Sequence, residues 1–298
     1  MSLRSKHLTL IGAAGAAALT VGALASPALA NGAASASYTC STPLGDAKPS
    51  AVYDVASAPS TLAVGQPLAT TATFTLDAAT TGLATGTLGW SKFKGTITTK
   101  PTASRAGLSL TIPKTALGGA GESTDAHATG STLAGSAVTN SFTFVLGNIG
   151  KVSLTGYDSS GKEVGTVEFP NSDGSFGACT NDAGTTTLMD AATPVTAKIV
   201  KDTTTTKEKA SYAAKAKTAK GTATVKSRFG TIPTGKVSFT LKKGSQTIKT
   251  IKGSLNKKGV ATATFKGVKA KGKYSITGKY AGSASLKGSS GKASFTVS

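Results

Sequence analysis

Acidic residues are scarce in this chain of 298: 13 Asp and Glu stand against 33 Lys and Arg, and charged residues make up only 15% of it. So little charge, amid abundant Gly, Ala, Ser and Thr, excludes charge-laced helices and favours extended structure. Histidine is nearly missing too, with His7 near the start and His127 alone afterwards. No His/Cys/Asp cluster has zinc spacing, and no cofactor signature is present. Cysteine is limited to Cys40 and Cys179, and tryptophan to Trp90. No eleven-residue window between about residues 36 and 192 shows convincing helical periodicity.

The first thirty residues stand apart. Arg4 and Lys6 precede an apolar run from Leu8 to Ala25, and Ala28-Leu29-Ala30 ends it with small residues at both flanks. This is the pattern of a secretory signal peptide, with cleavage expected between Ala30 and Asn31. An uncleaved anchor is the competing reading, weakened because much of the run is Ala and Gly, which give little insertion energy. No lipobox precedes Cys40, no twin arginine is present and no later segment is expected to span a bilayer. The chain ends in strand-like Phe295-Thr296-Val297-Ser298, so a sortase-type tail is not expected. The expected location is extracellular, with wall association left open.

Residues 31–192 read as a first all-β domain. Alternating or β-branched runs at Ala36–Ser41, Ala51–Ser57, Pro67–Leu76, Gly86–Thr98, Leu108–Ile112, Ser136–Leu146, Lys151–Tyr157 and Glu163–Phe169 are separated by Gly- and Ser-rich turns. In an exported chain two cysteines most often pair, and two permit only one intramolecular bond, so Cys40 and Cys179 are expected to close this domain. Residues 193–200 read as linker and start of the next domain, marked by Thr193-Pro194. Tyr38-Thr39-Cys40, Ala58-Pro59-Ser60-Thr61-Leu62-Ala63-Val64-Gly65, Leu110-Thr111-Ile112-Pro113-Lys114-Thr115 and Cys179 together resemble an exported β-domain of actinobacterial proteins. That resemblance implies compartment and disulfide, not chemistry.

Past the linker, residues 201–298 change character. Val237, Phe239 and Leu241 share one parity, while Lys236, Ser238, Thr240 and Lys242 take the other, the period of a half-buried strand. Expected strands are Ala197–Thr205, Gly221–Lys226, Lys236–Leu241, Gln246–Ile251, Val260–Phe265, Tyr274–Tyr280 and Ala293–Val297, about seven, the count of an immunoglobulin-like sandwich. Thr234-Gly235-Lys236-Val237-Ser238-Phe239, Gly259-Val260-Ala261-Thr262-Ala263-Thr264-Phe265 and Gly272-Lys273-Tyr274-Ser275-Ile276-Thr277-Gly278-Lys279-Tyr280 resemble the bacterial Ig-like repeat of surface and secreted proteins. The resemblance implies a spacer, adhesion or wall-contacting module without a catalytic set. Tyr274 stands where such sandwiches place a tyrosine corner. Gly278 departs from the repeat, which commonly has Ala, and one methyl fewer is expected to matter little. The fold class read from the whole is all-β, two β-sandwich domains in tandem.

Charge is concentrated in this second half. From Lys198 to Ser298 there are 23 basic and 2 acidic residues, a net +21, whereas residues 31–197 carry 8 basic and 11 acidic, a net −3. All but Arg228 of the 23 are lysine, a hydrated point charge that attracts polyanions without reading their geometry. Lys236, Lys242, Lys243, Lys257, Lys258, Lys271, Lys273 and Lys279 are the candidate contacts, and anionic cell-wall polymer or acidic polysaccharide the expected partner. A solubilising coat that discourages strand-edge pairing is the plainer account. Specific nucleic-acid binding is not expected, because Phe239, Phe265, Tyr274, Tyr280 and Phe295 share parity with core positions instead of offering stacking faces.

Catalytic constellations are wanting. Ser123, Asp125 and His127 crowd one Gly-rich stretch read as a loop, and adjacency does not make a triad. Glu163 and Glu168 lie five apart on an expected strand, hence on opposite faces. Asp173-Gly174 resembles a turn more than a Ca²⁺ loop. The leading reading is a secreted, non-enzymatic, structural or adhesive envelope protein. The alternative is carbohydrate or small-ligand binding by the first domain, with Trp90 as a stacking platform and the second domain as spacer. Oligomeric state is not legible.

Overall fold

A computed structural model of the chain describes residues 33–42, 45–55, 59–171, 177–190 and 193–298. The expected leader with its cleavage point and the Asp173-Gly174 turn lie outside the described residues. The first half is dominated by a ten-stranded sheet that runs in the spatial order Glu163–Phe169, Lys151–Tyr157, Lys92–Thr98, Gly107–Ala116, Thr124–Leu133, Pro67–Leu76, Ser50–Val55, Ala34–Thr42 and Cys179–Asn181, with Gly45–Ala47 added beside Ala34–Thr42. Its inner face follows from strict alternation: Leu68, Ala72 and Phe74 on one strand share a face with Leu108, Leu110 and Ile112 two strands away, all buried. A second, smaller layer covers that face. Thr61–Ala63 and Thr139–Thr143 flank Thr196–Val200, parallel and antiparallel to it respectively. Leu62, Phe142, Phe144 and Ile199 bring this layer into one core with the large sheet.

Cys40 and Cys179 are disulfide-bonded and sit opposite each other in register, tying the amino-terminal strand to the far end of the domain. Polar groups caught inside are paired: the Tyr38 and Tyr53 hydroxyls meet at 2.6 Å, and those of Thr70 and Thr132 at 2.5 Å.

Several boundaries differ from those expected; Ser136–Leu146, for one, is two strands, Thr139–Thr143 and Val145–Leu146, in different sheets. Gly86–Thr98 is a strand only from Lys92; before it, Ala78–Gly82 forms a short α-helix capped by Asp77, whose Oδ1 accepts from the Thr80 N–H at 2.6 Å, and a π-helical turn, Leu83–Thr87, follows. Five residues of helix are too few to produce a readable period. The stretch around His127, expected as a loop, is the ten-residue strand Thr124–Leu133. Its inward residues include Thr124, Ala126 and Ala128, too small and too polar to mark a core face. The expected linker at 193–200 contains a strand, Thr196–Val200, whose Ala197 and Ile199 are buried in the first core. Ala197–Thr205, read as one strand, is therefore two, broken at Lys201 to Thr203.

The second half is a sandwich of seven strands. Thr204–Ala213, Thr218–Ser227 and Val260–Lys266 form one sheet in that order; Gln246–Ser254, Lys236–Lys243, Gly272–Tyr280 and Ser289–Val297 form the other. Val237, Phe239, Leu241, Ile276 and Tyr280 face Ala219, Ala223, Val225, Ala263 and Phe265 across a core of its own. One sheet contributes large side chains and the other mainly alanines, so the layers come close. At Gly253 they touch: a methyl there would lie 2.5 Å from the Thr262 carbonyl oxygen. The two halves meet where Gly65 lies beside Phe229, whose N–H donates to Oδ2 of fully buried Asp202 at 2.9 Å, and through Ser285, whose hydroxyl donates to the Ser136 carbonyl at 3.0 Å.

Candidate polyanion-binding faces

The two outer faces of the second sandwich are built by strand period alone. On the four-stranded sheet, Lys236, Lys242, Lys273 and Lys279 point away from the core, since Val237, Phe239, Leu241, Ile276 and Tyr280 between them are buried. Cross-strand pairing adds two lysines not singled out from sequence: Lys252 stands opposite Ser238, itself opposite Lys279, and Lys292 stands opposite Thr277. Between the lysines lie hydroxyls, with Thr240 and Thr250 bonded at 3.2 Å. The three-stranded sheet repeats the design, with Lys207, Lys209, Lys220 and Lys226 interleaved with Thr222, Thr224, Thr262 and Thr264.

The remaining candidates fall elsewhere. Lys257 and Lys258 lie in the turn held by Asn256, whose Oδ1 accepts from the N–H groups of Lys258 and Val260. Lys271 precedes the strand Gly272–Tyr280, and Lys243 sits at one end of the sandwich with its ammonium 5.9 Å from the Tyr274 ring centre. The structure thus gathers four of the eight on one face and scatters the other four.

No acid interrupts these faces. The two acidic residues of this half are turned inward: Asp202 is fully buried, and both carboxylate oxygens of Glu208 are shut off from solvent without a hydrogen-bond partner. Burial pushes the Glu208 carboxyl up to about 7, and the nearby Thr222 backbone N–H offsets only part of that. The one ion pair among the described residues, Lys151 with Glu168 at 3.2 Å, belongs to the first half.

Aromatic side chains are turned inward as well. Phe239, Phe265, Tyr274 and Tyr280 are buried, and half-buried Phe295 lies between the rings of Tyr212 and Tyr274 at centroid distances of 5.8 and 5.4 Å. The Tyr274 hydroxyl donates to the Ala270 carbonyl four residues back, at 2.7 Å. Seven strands in a three-plus-four sandwich, closed by this phenol, accompany a sequence match. Residues 199–298 match the family of bacterial Ig-like domains (group 3). No curated protein matches the chain. An Ig-like domain points to a surface or structural role.

The first half offers less as a site. Trp90 is buried, its ring against the backbone of Gly156, where any side chain would overlap it. It cannot serve as the exposed platform considered for sugar stacking. His127 and Asp125 lie on the solvent face of their strand, each bonded to a threonine of the neighbouring strand: Nδ1 of His127 with the Thr73 hydroxyl at 3.0 Å, and Oδ1 of Asp125 with the Thr75 hydroxyl at 2.6 Å. A β-bulge at Gly156/Tyr157 sets Glu163 opposite Tyr157 and on the face of Glu168, correcting the expectation of opposite faces. Glu168 is nonetheless exposed and paired with Lys151 at 3.2 Å. Among the described residues no group of three or more His, Cys, Asp or Glu could hold a metal ion, and no helix is long and apolar enough to cross a membrane.

Proposed function

We propose that this is an exported envelope protein without bond-breaking chemistry of its own, held to anionic cell-wall polymer by the lysine faces of its Ig-like domain. The observation that carries this reading is the inward placement of Asp202 and Glu208, which leaves lysines on both outer faces with no carboxylate to neutralise them. A coat that served solubility alone would tolerate acids of opposite sign among the lysines. Flat faces of lysine and hydroxyl suit a long, repeating polyanion better than a small ligand, because each ammonium adds a weak, screened attraction and many must act together. The disulfide between Cys40 and Cys179 fits an oxidising compartment, and the apolar leader fits export.

Co-sedimentation of the full protein with purified anionic wall polymer at rising salt tests the reading. Retention at low salt that falls steeply with ionic strength supports it, as does loss of retention when Lys236, Lys252, Lys279 and Lys292 are replaced by Gln. Binding indifferent to salt, or no binding at low salt, overturns it.

A further inference from the structure

One end of the Ig-like sandwich is open, and the opening has a different chemistry from the faces. Gly253 and Thr262 hold the two sheets in contact, and from there the strand Gln246–Ser254 runs to an end where residues 246–250 are all exposed. A register shift between Leu241 and Lys242 marks the departure from regular pairing. Between that edge and residues 265–270 lies a groove of about 420 Å³, within the range of roughly 300–1,000 Å³ typical of small-molecule sites.

Apolar side chains contribute to its lining: Leu241, Phe265 and Val268 are buried in the domain core, while Ile248 is 49% exposed, one of few large apolar side chains so open among the described residues. Lys243, Lys249, Lys266 and Lys269 contribute four ammonium-bearing chains to the same lining. Lys243 is positioned from two sides, its Nζ over the Tyr274 ring and its Cε beside Gly272. The lining contains no acid, and the Tyr274 hydroxyl is already committed to Ala270.

From this juxtaposition of an apolar trough and unpaired lysines we infer a discrete binding site for an amphiphilic phosphate ester, its alkyl portion over Ile248 and Val268 and its phosphate among Lys243, Lys249, Lys266 and Lys269. Phosphate is the head group chosen because several point charges match a dianion that presents oxygens on every side. Burial of the alkyl portion separates this site from the faces: it adds affinity that salt does not screen. It does not depend on the polymer reading.

Calorimetric titration of the full protein with hexyl phosphate, with inorganic phosphate and hexanol as comparators, tests the inference. Saturable one-to-one binding of hexyl phosphate, at least tenfold tighter than inorganic phosphate, is expected. I248S removes the advantage over inorganic phosphate, and K249Q with K269Q weakens binding, whereas K252Q with K279Q on the sheet face leaves it unchanged. Equal affinity for hexyl and inorganic phosphate, or equal sensitivity to groove and face variants, overturns the site and leaves only a general positive field. Polymer co-sedimentation of the same variants separates the two readings: hexyl phosphate binding without polymer retention sinks the coat alone, and the reverse sinks the groove alone.

Discussion

The carboxylate of Glu208 fills the space that a side chain at position 278 would occupy. A methyl on Gly278 would overlap Glu208 Oε2, and one on Gly221 would come within 2.9 Å of Oε1. Gly291, the cross-strand partner of Gly278, presses against the backbone of Thr206 and Glu208 from the same sheet. The Ig-like domain thus encloses an acid in a slot of glycines between its sheets.

This enclosure should make the domain's stability fall as pH rises. With a folded-state value of about 7 against an ordinary one near 4.5, Glu208 is protonated in the folded domain and ionised in the unfolded chain between those values. Its full contribution is present below about 4.5 and is lost as pH rises through about 7. Discounted for the partial exposure of the residue, the loss is roughly 1–3 kcal/mol. Amide hydrogen exchange across residues 204–213 and 272–280, measured from pH 4 to 8 and corrected for intrinsic rates, reports it. E208Q should flatten the profile and leave the domain more protected at pH 8; an unchanged profile would show that the slot is not its source.

G278A should destabilise the Ig-like domain by about 1–3 kcal/mol through overpacking. Glu208 stands where the missing methyl would lie, so the expectation that the methyl matters little is put to the test here. Combining G278A with E208A should recover most of the loss, a non-additivity that urea unfolding of the four variants would measure. Additive effects would mean that the two positions do not share one space.

What could be read in advance depended on how loudly the inward residues speak. Val237, Phe239 and Leu241 announce their face, and the strand came within two residues of its true end. Thr124, Ala126 and Ala128 do not, so a central strand of the large sheet passed for a loop. Only Thr204 to Thr206 of the strand Thr204–Ala213 are β-branched, and its inward positions include Glu208, so the part beyond Thr205 carries no strand signal that sequence could show. Lys252 and Lys292 belong to the basic face through cross-strand register, which sequence alone does not supply. The inward turn of both acids was legible only in the packing, since charge counts carry no direction.

Loss of the disulfide should weaken the first half selectively. Cys40 and Cys179 are separated by 139 residues, and a loop of that length removes roughly 4–5 kcal/mol of unfolded-chain entropy on the polymer estimate. The sole tryptophan, Trp90, is buried in that core and reports its unfolding without interference from the Ig-like domain. C40S/C179S should shift the tryptophan-detected urea midpoint sharply downward while exchange protection of residues 236–243 is kept. A common shift in both would mean that the halves unfold as one.

Asp202 should govern the junction more than the stability of either core. It follows the last strand of the first half, its N–H donates to the Ser285 carbonyl, its carbonyl accepts from the Lys287 N–H, and its side chain holds the Phe229 N–H. Phe229 in turn packs beside Gly65 of the first half, whose neighbour Val64 donates its N–H to the Val200 carbonyl. D202A leaves the Phe229 N–H unpaired in a buried setting, at a cost of about 1–3 kcal/mol, whereas D202N keeps an acceptor there and removes a buried charge. Faster exchange at residues 229–231 and 283–287 is therefore expected in D202A and not in D202N, with the interiors of both sheets unaffected. Equal loosening in the two variants would assign the effect to the missing charge and not to the acceptor, and loosening throughout the Ig-like domain would make Asp202 a core residue instead of a clasp.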